Sequence, residues 1–312
     1  MRRASALAAL AGAAAALRAR SAVAQAPQKI VVVGPASESQ TDLYYAIKNG
    51  MFAHAGLEVS IVNLSSGAAA TTAVITGTYE LGITNVLPIF SAYLRGIPAA
   101  MIAPGIINTA AHPFAQLQVA TDSPYHTGAD LNGKTAASPA LGDINSLATH
   151  AWIDKNGGDS HTLKFVEVPN VAIEEALVSH RIDTAMLQSP LLDASLQAGR
   201  TRSLGYAYGA IASQFMGTGY VGRRDWADQH ADAARRFVKT LADASTYVMA
   251  HPAETAPLVM EYTKVTVESM RTMHRTQNGL VADPALIQPV VDVAAKYGTI
   301  ARAFPAREIV WT

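Results

Sequence analysis

Cysteine is absent from all 312 residues. Stability therefore cannot come from disulfides, no cysteine nucleophile is available, and no lipid can be attached to a first mature cysteine. Charge is scarce as well: only 15% of residues are Asp, Glu, Lys or Arg, and the 24 basic residues balance the 24 acidic ones. No basic stripe exists for nucleic acid. No segment is long and apolar enough to span a bilayer, which takes ~20 residues. The nine histidines show neither His-Glu-x-x-His nor His-x-His spacing, so no metal is expected. Glycine-rich loops with phosphate or dinucleotide spacing are missing, and so is a Gly-x-Ser-x-Gly elbow. We therefore expect no catalytic residue, no metal and no cofactor.

Half of the residues are hydrophobic, enough for a large core without cross-links. At the N-terminus Arg2 and Arg3 precede a small-residue apolar stretch from Ala6 to Leu17, and Ala22-Val23-Ala24 fits an A-x-A cleavage site. Residues 1–24 are thus expected to be an export signal, of the ordinary secretory or the twin-arginine type. Removing Arg2, Arg3, Arg18 and Arg20 from the 24 basic residues leaves 20 against 24 acidic, a mildly acidic chain free in a periplasmic space.

The chain repeats itself. Residues 73–92 read AVITGTYELGITNVLPIFSA and residues 176–195 read ALVSHRIDTAMLQSPLLDAS. In both, the end of an Ala-rich helix leads through a tight turn to an aromatic or aliphatic residue, an acid, and a short buried strand. Polar residues follow, Thr84 and Asn85 in one copy, Gln188 and Ser189 in the other. From Gln28 onward strands alternate with helices, the pattern of a parallel sheet. The periodicity predicts strands at 29–33, 57–64, 79–84 and 99–103, with helices at 42–54, 67–75 and 87–95. A second block has strands at 116–121, 134–137, 163–168 and 182–187, with helices at 143–156 and 172–179. After a return near 208–222 the rest reads as helical, and Phe237, Leu241, Ala244 and Val248 form an apolar stripe.

The stretch DLYYAIKNGMFAHAGLEVSIV resembles the first helix and second strand of the nitrate/sulfonate/taurine family of ABC-importer substrate-binding proteins. ITGTYELGITN, ATDSP followed by ADLNGKTAA, ALVSHRIDTAMLQSP and the later HPAET continue the resemblance in order, over nearly the whole chain from residue 29. The resemblance implies an α/β protein with the type II periplasmic binding fold: two Rossmann-like lobes, two crossovers and a ligand in the cleft between them. It also implies a monomer that hands a small molecule to a membrane permease rather than an enzyme. Related enzymes on this fold, a thiamin-pyrimidine synthase and a desulfinase, rely on cysteines absent here. On this reading residues 27–113 plus 215–312 form lobe 1 and residues 114–214 form lobe 2.

In an open α/β sheet, ligands sit at the carboxyl ends of strands, where helix N-termini and loops converge. That rule points to Ser37, Glu38 and Gln40 after the first strand, Ser65, Ser66 and Gly67 after the second, and Thr84 and Asn85 after the third. In the second lobe it selects Gly142, Asp143, Ile144 and Asn145, then Gln188 and Ser189. Phe215 and Met216, near the second crossover, are expected beside the ligand. These loops carry two carboxylates, Glu38 and Asp143, and no Lys or Arg. A bare anion would be repelled by them, so a nitrogen-bearing ligand, such as a zwitterion or a nitrogen heterocycle, is favoured over nitrate, within the range of sulfonates, amino-sulfonates and heterocycles. Glu38 is expected to pair with a ligand nitrogen.

Overall fold

A computed structural model of the chain describes residues 26–312; the expected export signal at residues 1–24 lies outside them. Strand β1 (Gln28–Gly34) is a β-branched run with Ile30, Val32 and Val33 fully buried. It stops at Gly34, where a side chain would meet Ile83 Cγ2 at 2.4 Å. The strands that follow are β2 (Leu57–Asn63), β3 (Leu81–Asn85), β4 (Ala99–Pro104), β5 (Ile106–Thr109) and β6 (Ala115–Ala120). Then come β7 (Thr135–Ser138), β8 (Lys164–Glu167), β9 (Thr184–Gln188), β10 (Thr201–Gly205), β11 (Gln214–Met216), β12 (Thr218–Arg223) and β13 (Gln277–Asn278).

Two five-stranded sheets divide these strands, in the orders β2-β1-β3-β12-β4 and β10-β6-β9-β7-β8. Reading the second sheet backwards gives the same arrangement as the first. β1 runs parallel to β2 and β3 while β12 runs antiparallel to β3 and β4. β7 runs parallel to β8 and β9 while β6 runs antiparallel to β9 and β10. In each sheet the antiparallel strand is the one that has arrived from the other sheet, so the chain crosses between two lobes twice.

The sequence repeat occupies equivalent places in the two lobes. Helix Gly67–Ile75 leads to β3 and helix Asn170–Val178 leads to β9. Both connections turn through a left-handed residue, Gly77 at φ +79° and His180 at φ +54°. The acids of the repeat do the same work: Glu80 accepts the Val31 N–H at 2.7 Å and Asp183 accepts the Thr135 N–H at 2.8 Å. Each carboxylate fastens the entry of a central strand to its parallel neighbour.

Each lobe buries its own apolar layer. Helix Ala231–Ala250 buries Phe237, Leu241, Ala244 and Val248 as its stripe requires, the first three in the core that covers the first sheet, and the Phe237 ring stacks on Phe52 at 5.2 Å between centroids. Helix Pro284–Lys296 belongs to neither lobe alone. Its Ile287, Val290, Val291 and Ala294 share one core with Val86 and Phe90 of the first lobe and Leu147 and Trp152 of the second. Tyr297, just beyond it, donates a 2.8 Å hydrogen bond to Asp154 in the second lobe. Residues 309–311 run beside edge strand β4: the Met101 N–H donates to Ile309 O at 2.7 Å, and the Trp311 N–H to Met101 O at 3.0 Å.

The expected helix at 42–54 is two helices, Thr41–Lys48 and Met51–His54, because Gly50 takes φ +67° between them. Helix Leu191–Gln197, strand β10 and a small third sheet in the order β11-β5-β13 were not foreseen. Among the described residues no helix is long and apolar enough to cross a membrane.

Candidate ligand-binding site

Pairing register fixes where the lobes meet. β12 begins with Thr218 opposite Asn85, and β6 begins with Ala115 opposite Gln188. Both crossovers therefore deliver the chain at the carboxyl ends of β3 and β9, so those two ends converge on the hinge. Backbone bonds fix the junction: Val86 N–H donates to Gly217 O at 3.2 Å and Ser189 N–H to Phe114 O at 2.7 Å.

On the first lobe, Ser37 and Ser39 share a 2.6 Å hydroxyl contact at the end of β1. Gln40 is wholly buried, and neither amide atom has a hydrogen-bond partner. Ser65 and Ser66 are exposed, and the Ser66 hydroxyl caps helix Gly67–Ile75 by accepting the Ala69 N–H at 3.2 Å. Gly67 lies so close to β3 that a Cβ would approach Thr84 Oγ1 to 2.7 Å. That hydroxyl is buried and unpartnered. Asn85 caps helix Val86–Leu94 by accepting the Leu87 N–H at 3.0 Å, a role its side chain can combine with donating outward.

On the second lobe two amides and a phenol form a network beside Asp143, to whose Oδ2 the Asn145 amide donates at 3.4 Å. Tyr208 donates to Asn145 Oδ1 at 2.7 Å, and Gln188 Nε2 lies 3.2 Å from both Asn145 Oδ1 and the Tyr208 hydroxyl. Burial, and then the charge of Asp143, hold the Tyr208 phenol above its usual range, so it remains a donor. Ser189 Oγ is buried without a partner. Gly142, at φ +72°, makes the turn into helix Ile144–Lys155.

The charge expectation is overturned. The loops contain no cation, but the chain returns one from far away: Arg275 Nε donates to Glu38 Oε1 at 2.7 Å. The Thr276 N–H donates to Glu38 Oε2 at 3.0 Å, and the Thr276 hydroxyl bonds the same oxygen. With its side chain only 9% exposed, Glu38 is a satisfied carboxylate and does not stand free for a ligand nitrogen. Asp143 is engaged too. Its Oδ1 accepts from the Ser138 hydroxyl at 2.6 Å and from the Ser146 N–H at 2.9 Å, as a helix cap. Burial raises its pKa, against the lowering effect of those bonds. Phe215 and Met216 do not reach a cleft surface either; both are fully buried, with Phe215 edge-on to Tyr208 at 5.7 Å. The Ile144 side chain is likewise core.

Arg275, Thr276 and Tyr208 escaped sequence reasoning. Arg275 lies between two helices of the C-terminal stretch, far in sequence from any strand end that the rule selects, and Tyr208 lies in a crossover whose only signal is an aromatic-rich YAYG. A cavity of about 300 Å³ opens beside the Glu38–Arg275 pair, walled by Thr41, His112, Val248, Met249 and Pro252. No group of acids and histidines suited to a metal occurs among the described residues.

Comparison with known proteins agrees with this anatomy. The formylaminopyrimidine-binding protein of Halalkalibacterium halodurans is 26% identical over 146 residues, a stretch that is 47% of this chain and 42% of that protein's length. The periplasmic aliphatic sulphonate binding protein SsuA of Escherichia coli superposes with a TM-score of 0.75 at 17% identity, covering 92% of each chain. The periplasmic nitrate-binding protein NrtA of Synechocystis PCC 6803 gives 0.73 at 12% identity, over 90% of this chain and 84% of its own. Both superpositions establish a type II periplasmic binding fold. Residues 38–255 match the family described as NMT1/THI5 like, and the chain belongs to that family.

Proposed function

We propose that the protein is the solute-binding receptor of an ABC importer, holding a small nitrogen-bearing organic molecule between its lobes and passing it, unaltered, to a membrane permease. The observation that carries this reading is the hydrogen-bonding set of Asn145, Gln188 and Tyr208 at the hinge end of β9, opposite Asn85. Gln188, the half-buried member, carries an amide donor and acceptor and is held in place by buried Asn145 and Tyr208, which suits a ring or amide edge carrying both. A sulfonate or nitrate offers acceptors only, and the nearby cation, Arg275, is already paired with Glu38. The relative named for binding formylaminopyrimidine supports the heterocycle, and the expected export signal at residues 1–24 supports a periplasmic setting. An alkanesulfonate is the second reading, favoured by the likeness to SsuA and by a guanidinium at the rim of the cleft.

A thermal-shift panel of aminopyrimidines, amino-sulfonates, alkanesulfonates and nitrate separates the two. At 100 times its dissociation constant a ligand adds ~2.7 kcal/mol to stability, a shift easily read. Aminopyrimidines should raise the melting temperature and nitrate should not. A response confined to alkanesulfonates would establish the second reading, and recovery of a chemically altered ligand at catalytic rates would refute both.

A further inference from the structure

Residues 274, 275 and 276 face different lobes. His274 Nδ1 lies 2.8 Å from Asp193 Oδ1, on helix Leu191–Gln197 of the second lobe. The next two residues hold Glu38, in the loop that follows β1 of the first lobe. Asp193 has a side chain only 5% exposed, and its other oxygen, Oδ2, is buried without a partner. A buried carboxylate that loses its hydrogen-bond donor is costly, so separating the lobes at this point is opposed. The strand partner of the segment is at the hinge itself, where β13 pairs with β5, and Arg275 Nη1 also donates to Pro252 O at 2.9 Å. Upstream, helix Val267–Thr272 packs on helix Leu191–Gln197.

We propose that residues 274–276 form a strap that couples the separation of the lobes to the position of the Ser37–Thr41 loop, with His274 and Arg275 as its positioning residues. The purpose of the strap rests on the solute-binding reading, but its existence does not. A single peptide bond separates the residue that grips Asp193 from the first residue that grips Glu38. Movement of the second lobe is therefore passed to Glu38, whose own carbonyl accepts the Thr41 hydroxyl at 2.6 Å at the start of the next helix. The side chains that hold the loop are thus attached to the opposite lobe as well.

The test uses the ligand-free protein, so that a wrong solute assignment cannot affect it. Because the chain has no cysteine, exposed Ala53 and Lys164 can be replaced by cysteine for spin labels reporting the distance between lobes. His274→Ala should give a longer, broader distance distribution. It should also speed hydrogen exchange of the Gln40 amide, which donates to Ser37 O at 3.1 Å, by about tenfold. Since the His274 side chain is 44% exposed, its removal spares the core, and Asp193→Ala, which takes away the acceptor, provides an independent break. His274→Gln, which keeps a donor, should restore both readings. Unchanged distances in His274→Ala and Asp193→Ala would overturn the strap. Changed distances with unaltered exchange at Gln40 would overturn the coupling.

Discussion

Glu38 receives donors from Arg275 and Thr276, so neutralising it should register as lost stability. Glu38→Gln leaves a largely buried guanidinium facing an amide, and the loss of charged hydrogen bonds costs about 1.5–3 kcal/mol. Urea unfolding of the ligand-free protein measures this, and an unchanged midpoint would mean that the ion pair contributes nothing. Asp42 offers the opposite case. It is buried beside Ser245, which donates to it at 2.6 Å, and desolvation outweighs that bond, pushing its pKa from 3.8 up to about 6. A carboxyl whose folded pKa is raised binds its proton more tightly when folded. Its ionisation therefore costs stability above pH 6, and the cost disappears as the pH falls toward 4. Asp42→Asn, which keeps the hydrogen-bonding shape, should be more stable than the parent at pH 8 by on the order of 3 kcal/mol. The two proteins should converge near pH 4 in chemical denaturation.

Among the elements, those with a repeating apolar pattern were legible and those without one were not. Helix Ala231–Ala250 announces itself through a stripe about three turns long, and helix Ile144–Lys155 through Asp143 at its start and Gly157 beyond its end. The break at Gly50 was hidden because an isolated glycine inside a helical pattern does not by itself mark a stop. β5, β11 and β13 span four, three and two residues, too few for an alternating pattern, and they exist because the crossovers bring them together. The Asp143 cap makes a prediction for its helix. Asp143→Ala removes the acceptor for the Ser146 N–H and for the Ser138 hydroxyl, and should cost about 1–2 kcal/mol. Asp143→Asn retains a capping oxygen and should stay close to the parent in the same thermal melt. Equal losses in both variants would show that the charge, not the cap, matters.

At the scale of the whole molecule, the sequence repeat proved the most informative feature, since Glu80 and Asp183 fasten equivalent strands in the two lobes. The strap was beyond reach. Arg275 and Glu38 stand 237 residues apart, and nothing local to either marks the other. The sealing of β4 by residues 309–311 was equally silent, because its bonds to Met101 are backbone bonds and the side chains that anchor it, Trp311 to Asp228 and Arg224 to Glu308 O, pair residues 83 and 84 positions apart. An unpaired edge strand is a template on which a second chain can continue the sheet. With β4 covered, the first sheet is left open along β2, where exposed Glu58, Ser60 and Asn63 alternate with half-buried Val59, Ile61 and Val62. Crowded copies thus meet a charge and polar side chains at the open margin of this sheet, and the end of the chain serves to finish the other margin.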